Sequence, residues 1–372
     1  MSIYLTSQGV VSPSGVTVGS HWDLLRAGFT QNPCYRFSQY EPFLTKCRKY
    51  DASIGMASEA VKSCLNGLSN VDLDTIGVIY GSSRGTARGL ESLILRDLRH
   101  EKLPAWGSPV TTGSAALSFL LSKYGMGGFS TSISNACATG LFGVILASNL
   151  ILSGQLEASI VCCSEASDTD FTRKLLGRAG VLSKRFSDEG ERCLPFHSDR
   201  DGMFLSEGGA AICLEGSLGE SRALAKISGW GVYNDPVSLA GVDKTGIGVA
   251  KAIQMALDNA NLNSNDIDVV VAHGAGTILG DLAESRGLDI VFGDEWPTLC
   301  CHKWAFGHQL SVGSLLSLSL SVQYLQENEC EGLPYVSDLI RNSPKKRRSL
   351  TRILNFAMGF GGHLAAVIIE KI

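Results

Sequence analysis

Residues 58–84 read SEAVKSCLNGLSNVDLDTIGVIYGSSR. The start has the spacing of an amphipathic helix, the middle is a polar Asn/Asp-rich loop, and the end is an apolar strand closed by Gly81. Residues 250–277, AKAIQMALDNANLNSNDIDVVVAHGAGT, repeat that order, and Gly274 closes the second strand 193 residues after Gly81. A repeat offset by half the chain points to two similar halves rather than two unrelated domains.

A second pairing supports the duplication. SNACATG (134–140) leads into an apolar run at 141–152, LFGVILASNLIL, and WAFGH (304–308) leads into QLSVGSLLSLSLSVQYL (309–325). A helix without a polar face is buried. Two such helices, each opened by a short polar motif, can sit back to back with their N-termini aimed at one cavity. Between them, apolar runs at 75–81, 132–136, 158–166, 209–215, 267–274, 352–358 and 364–370 read as strands covered on both faces. Helical patterns at 52–68 and 248–262 alternate with them, so the expected fold class is α/β.

The 372 residues are 44% hydrophobic and 18% charged, a globular composition with a large core. A net charge of −4 gives no reason to expect nucleic acid as a partner. The 11 cysteines are odd in number and form no C-x-x-C. The neighbours Cys162–Cys163 and Cys300–Cys301 point to opposite faces of a strand, so neither pair chelates one ion; no metal site and a reducing compartment are expected. MSIYLTSQGVVSPSG lacks the features of a signal peptide, and the run at 141–152 is far short of the roughly 20 residues of a membrane span. A cytoplasmic protein is expected. The basic run PKKRR (344–348) reads as a solvated loop that could also steer an acidic partner.

Few residues could carry chemistry. Cys137 is either a small core residue or a nucleophile at a helix N-terminus, where unpaired N–H groups favour a thiolate and can bind an oxyanion. His273 ends an apolar strand and His308 precedes the second buried helix, both at Gly-flanked turns where α/β proteins place active sites. Each alone could be a satisfied structural group. Lys303 either snorkels to solvent or meets an acid inside. Gly359-Phe360-Gly361-Gly362 is either a tight hairpin turn or a loop whose N–H groups approach a ligand.

In order, GVVSPSG, RKYDASIGMASEAV (48–61), SNACATG, LPFHSDRDGMFLSEGGA (194–210), VAHGAGTILGDLAE (271–284), HKWAFGH (302–308) and NFAMGFGG (355–362) resemble the β-ketoacyl-acyl-carrier-protein synthases. The resemblance covers almost the whole chain. It implies a thiolase-like five-layered αβαβα sandwich of two similar halves, here 1–215 with the nucleophile and 216–372 with the two histidines and the GFGG loop. It implies decarboxylative condensation of an acyl group with a malonyl thioester. Cys137 would be the nucleophile, His273 and His308 the enolate-stabilising pair, and Lys303 their supporting cation, held in place by Glu284. The N–H groups of Cys137 and Phe360 would form the oxyanion hole, with Phe360 as a gate. Thr277, Met358, Gly361 and Gly362 would line the substrate and pantetheine path. No cofactor is implied beyond the phosphopantetheine of an acyl carrier protein, which would be the partner, together with a second identical or related subunit.

The two-histidine pattern favours the elongating branch over the Cys-His-Asn initiating branch, and the absence of Cys from GFGGHLA disfavours degradative thiolases. An inactive partner subunit normally lacks the nucleophile present here. That alternative and a thiolase-like acyltransferase or hydrolase remain the competing readings. Departures cluster round the substrate path: Ala275 stands for a Thr, Met358 for a Phe, His197 for an Asp, and GFGG is followed by His363-Leu364. They suggest a specialised synthase.

Overall fold

The structure, a computed structural model, describes every residue except 1, 29–34, 48, 70, 186–191, 219–221, 240 and 342–348. The PKKRR run and Cys34 therefore lie outside the described residues. Ten strands form one hydrogen-bonded sheet: β1 (Ile3–Val11), β2 (Gly77–Gly81), β3 (Ser130–Ile133), β4 (Ala158–Glu165), β5 (Gly208–Glu215), β6 (Ala225–Asn234), β7 (Val269–Val271), β8 (Thr298–Cys300), β9 (Arg352–Gly359) and β10 (His363–Glu370). Their order is β3-β2-β4-β5-β1-β6-β10-β9-β7-β8.

The duplication is visible in that order. Outward from the β1–β6 junction, the first half runs β1-β5-β4-β2-β3 and the second runs β6-β10-β9-β7-β8, the same path five strands later. The senses match too. In each half the two inner pairings are antiparallel and the two outer ones parallel. The halves join where Ile3–Leu5 pairs antiparallel with Ala225–Ile227.

Helices Thr139–Leu152 and Ser311–Glu327 lie between the two half-sheets and touch both, while Ala52–Asn66 covers the outside of the first and Ile247–Ala260 the outside of the second. The layers are αβαβα. Strands sandwiched this way need no polar face, which is why β5 and most of β4, β9 and β10 are buried residue after residue. Alternation still sorts them: Cys163 packs in the central core with the two middle helices, and Cys162 in the outer core with Ala52–Asn66.

The middle helices meet at their N-terminal ends. A Cβ on Gly140 would lie 2.4 Å from Ser314 Oγ, so only glycine permits this approach. The expected strand at 132–136 stops at Ile133, because Ala136 turns to φ +49° and bends the chain towards the helix. The strand expected at 267–274 shrinks to Val269–Val271. Strands β1, β6 and β8 were not legible as separate runs. In β6, Gly229 and Gly231 break the apolar pattern because an added Cβ there would meet the carbonyls of Ala256 and Ala252.

Candidate active site

The turn before the first middle helix sets the nucleophile. Thr139 Oγ1 donates to Ala136 O at 2.6 Å and accepts from Asn135 N at 2.8 Å, closing the turn round Cys137. The helix begins at Thr139, so Cys137 sits just ahead of it, at its positive end. Cys137 faces a cavity of about 520 Å³ that is also lined by His273, His308, Thr277, Met358, Phe360 and Gly362. Cys137 and Gly362, 225 residues apart in sequence, are thereby brought to one site.

The two imidazoles lie 5.3 Å apart, ring centre to ring centre, at 76°. Leu310 N donates to Nδ1 of His308 at 3.0 Å. That nitrogen is therefore the acceptor, and Nε2 carries the proton of the neutral ring. Leu310 holds φ +50° to make this contact, a strained conformation for a side chain of that size. Burial lowers the pKa of His308 well below the ordinary value, with Lys303 adding to the effect; burial, Lys303 and His308 do the same to His273.

Lys303 and Glu284 stand behind the cavity rather than in it. Lys303 Nζ donates to the carbonyl of His273. Glu284 accepts from the main-chain N–H of His273 at 2.6 Å and of Gly274 at 2.8 Å. This corrects the expectation that Glu284 places Lys303. Both oxygens of the carboxyl group are taken by N–H groups, and the two side chains grip the same His273–Gly274 turn from opposite sides. Burial raises Glu284 to about 7, against the pull of those N–H groups and of Lys303.

Cys137 brings a second correction. Its sulfur opens to the cavity, but protein packs round the rest of it. Burial pushes the thiol up to about 12; Lys303 and Arg84 oppose this, and Glu165 adds to it. The helix end favours a thiolate, but burial outweighs it, so the resting group is a thiol. Accessibility still separates it from its fellows. Of the ten described cysteines, only Cys137 and Cys330 are not fully buried.

The GFGG segment is both a hairpin and a wall of the site. Gly359 pairs with His363, leaving Phe360-Gly361-Gly362 as the turn, with φ +83° and +78° at the two glycines. An added Cβ at Gly359 would lie 2.5 Å from Asn135 O and 3.2 Å from Cys137 N, so this strand end rests directly on the nucleophile turn. Phe360 is 37% exposed and not locked into the core. Gly361 does not line the cavity; its Cα faces the His363 ring, which corrects its assignment to the substrate path.

Among the lining residues missed in the sequence are Ser83 and Arg84, which follow β2. The repeat held the signal. With Gly81 set against Gly274, Arg84 falls opposite Thr277, and both line the cavity.

Comparison with known proteins shows the family. A family model described as beta-ketoacyl synthase, N-terminal domain, matches residues 41–218, and one described as beta-ketoacyl synthase, C-terminal domain, matches 224–332. The chain is 27% identical to 3-oxoacyl-[acyl-carrier-protein] synthase 2 of Vibrio cholerae, over 99% of each chain. It is 29% identical to the protein of the same name in Mycobacterium tuberculosis, over 81% of this chain and 76% of the relative. Among solved structures, the ishigamide ketosynthase/chain length factor superposes with a TM-score of 0.87 at 22% identity. That match covers 100% of this chain and 99% of the other. A beta-ketoacyl synthase from Burkholderia phymatum superposes at 0.86 and 21%, with the same coverage.

Proposed function

The chain belongs to the β-ketoacyl synthase family, and from that premise we propose that it elongates an acyl chain at Cys137 by decarboxylative Claisen condensation. The observation that carries this reading is the convergence of Cys137, His273 and His308 on one cavity.

Once deprotonated, Cys137 attacks the thioester carbonyl of an acyl group on a carrier protein. The new C–S bond forms through a tetrahedral oxyanion, which the N–H groups of Cys137 and Phe360 hold. The carrier thiolate leaves and takes up a proton. A malonyl thioester then places its carbonyl oxygen against the imidazoles. The bond to its carboxylate carbon breaks, carbon dioxide departs, and the electron pair is held as an enolate. The Nε2–H of His308 donates to that enolate oxygen, and burial, with Lys303 behind His273, keeps both rings neutral donors. The enolate carbon attacks the acyl-Cys carbonyl, the C–S bond breaks, and Cys137 leaves as the thiolate. The product is a β-ketoacyl thioester.

No cofactor enters this sequence; the substrates arrive on phosphopantetheine, along a path that Thr277, Met358 and Gly362 line. An acyl carrier protein is the partner in this reading, with a second identical or related subunit. No helix of the described residues is long and apolar enough to cross a membrane, and we place the protein in the cytoplasm. Cys137 and the two neutral imidazoles support a catalytic subunit over an inactive companion. Mixing the purified protein with acyl- and malonyl-carrier proteins tests the reading. One carbon dioxide per β-ketoacyl product is expected; free acid or another ester, without a new C–C bond, contradicts it.

A further inference from the structure

A second cavity, of about 340 Å³, adjoins the first, and Ser83 and Arg84 line both. Most of its remaining wall is hydroxyl-bearing, with Ser82, Thr86, Thr112 and Ser132 among the lining groups, and no acidic side chain lines it.

Three polar groups at this junction lack partners. The buried hydroxyls of Ser83 and Ser132 make no hydrogen bond. Arg84 is half-buried, and among the described residues its guanidinium forms no hydrogen bond and no ion pair. Other half-buried arginines here are engaged: Arg88 reaches Glu207 and Asp168, and Arg173 grips Asp168. A guanidinium left unpaired beside two unpaired hydroxyls is complementary to acceptor oxygens, to which it can offer two N–H groups at once. Arg84 and Cys137 line the same first cavity, and the arginine's charge acts on the thiol.

We propose that Arg84 selects an acyl group that carries acceptor oxygens beyond its thioester carbonyl, in preference to a saturated chain of the same length. This rests on the ketosynthase reading, since it takes the second cavity as the place where the acyl chain lies. Ser83 and Ser132 complete the acceptor site. Two sources share this chemistry: a terminal carboxylate and ketones along the chain.

The test is calorimetric binding of pantetheine amides, which cannot transfer their acyl group, to the full-length protein. Glutaryl, 3-oxohexanoyl and hexanoyl amides are compared on wild type, Arg84→Met and Arg84→Lys. At least one oxygenated amide should bind wild type tenfold or more tightly than the hexanoyl amide, and the tighter of the two identifies the source. Arg84→Met should bring that ratio close to one while leaving hexanoyl binding within twofold, and Arg84→Lys should keep part of the preference. Equal or tighter binding of the hexanoyl amide to wild type, or an unchanged ratio in Arg84→Met, would overturn the proposal. Separately, the corresponding thioesters report on Cys137. Arg84-dependent binding without any acylation would remove the ketosynthase reading and leave the acceptor site standing.

Discussion

Leu310 N–H points at Nδ1 of His308 from 3.0 Å, and this contact makes the imidazole a donor at its other nitrogen. In the proposed mechanism the histidine therefore serves the enolate rather than the nucleophile. His308→Ala should lower malonyl decarboxylation by roughly 100-fold or more, the usual effect of losing one such donor. Acyl transfer to Cys137 should stay within a few-fold. His308→Asn, which restores an N–H, should recover part of the loss. Rates of carbon dioxide release and of Cys137 acylation, measured separately, check this; equal loss of both would assign His308 to the thiol instead.

The pH behaviour separates the same groups. Both catalytic imidazoles have folded pKa values well below 6.5, so decarboxylation should not fall through histidine protonation between about pH 6 and pH 8. Cys137, raised to about 12, is a thiol throughout that range. Its alkylation by iodoacetamide should rise about tenfold per pH unit up to pH 9, in step with the thiolate fraction. A plateau near pH 7 would mean a thiolate at rest.

Glu284 carries a stability signature. Its folded pKa, about 7, lies above the ordinary 4.5, so the folded state holds a proton that the unfolded chain has lost. Stability from this group is fully present below about pH 4.5 and is lost as pH rises to about 7, by up to about 3 kcal/mol. Glu284→Gln should flatten the fall in stability across that window. Urea titrations at pH 4.5, 6 and 7.5 measure it; the same slope in both proteins would show that Glu284 does not bury a proton.

Gly359 bears on the nucleophile turn, and Gly177 provides the contrast. A Cβ at Gly359 meets Asn135 O at 2.5 Å, whereas one at Gly177, in the exposed helix Asp170–Arg178, meets nothing within 4 Å. Gly359→Ala should lower stability by about 1–3 kcal/mol and slow acylation of Cys137. Gly177→Ala should raise stability by about 0.5–1 kcal/mol and leave acylation unchanged. Thermal unfolding and acylation rates of the two variants decide the point.

What the sequence disclosed follows the strength of each local signal. The repeat at 58–84 and 250–277 pointed to two similar halves though not to all five strands of each, and the two apolar runs foretold the middle helices, because a helix buried on all sides leaves an unbroken apolar stretch. The strand β6 escaped notice because its glycines answer to a helix packed above them. Glu284 was placed in the right company but with the wrong task, since a hydrogen bond to main-chain N–H leaves no trace in side-chain pattern. Arg84 was hidden for another reason: an arginine in a Ser/Gly turn reads as solvated, and only the packing shows that the turn ends in a cavity.

The central claim is that Cys137 carries the growing chain. Intact-protein mass spectrometry with peptide mapping, after mixing with a panel of acyl-carrier proteins, tests it most directly. The account predicts one acyl group per chain, on Cys137, absent from Cys137→Ala and discharged as β-ketoacyl-carrier when malonyl-carrier is added. Unchanged acylation of Cys137→Ala, or an acyl group mapped to another residue, would contradict it.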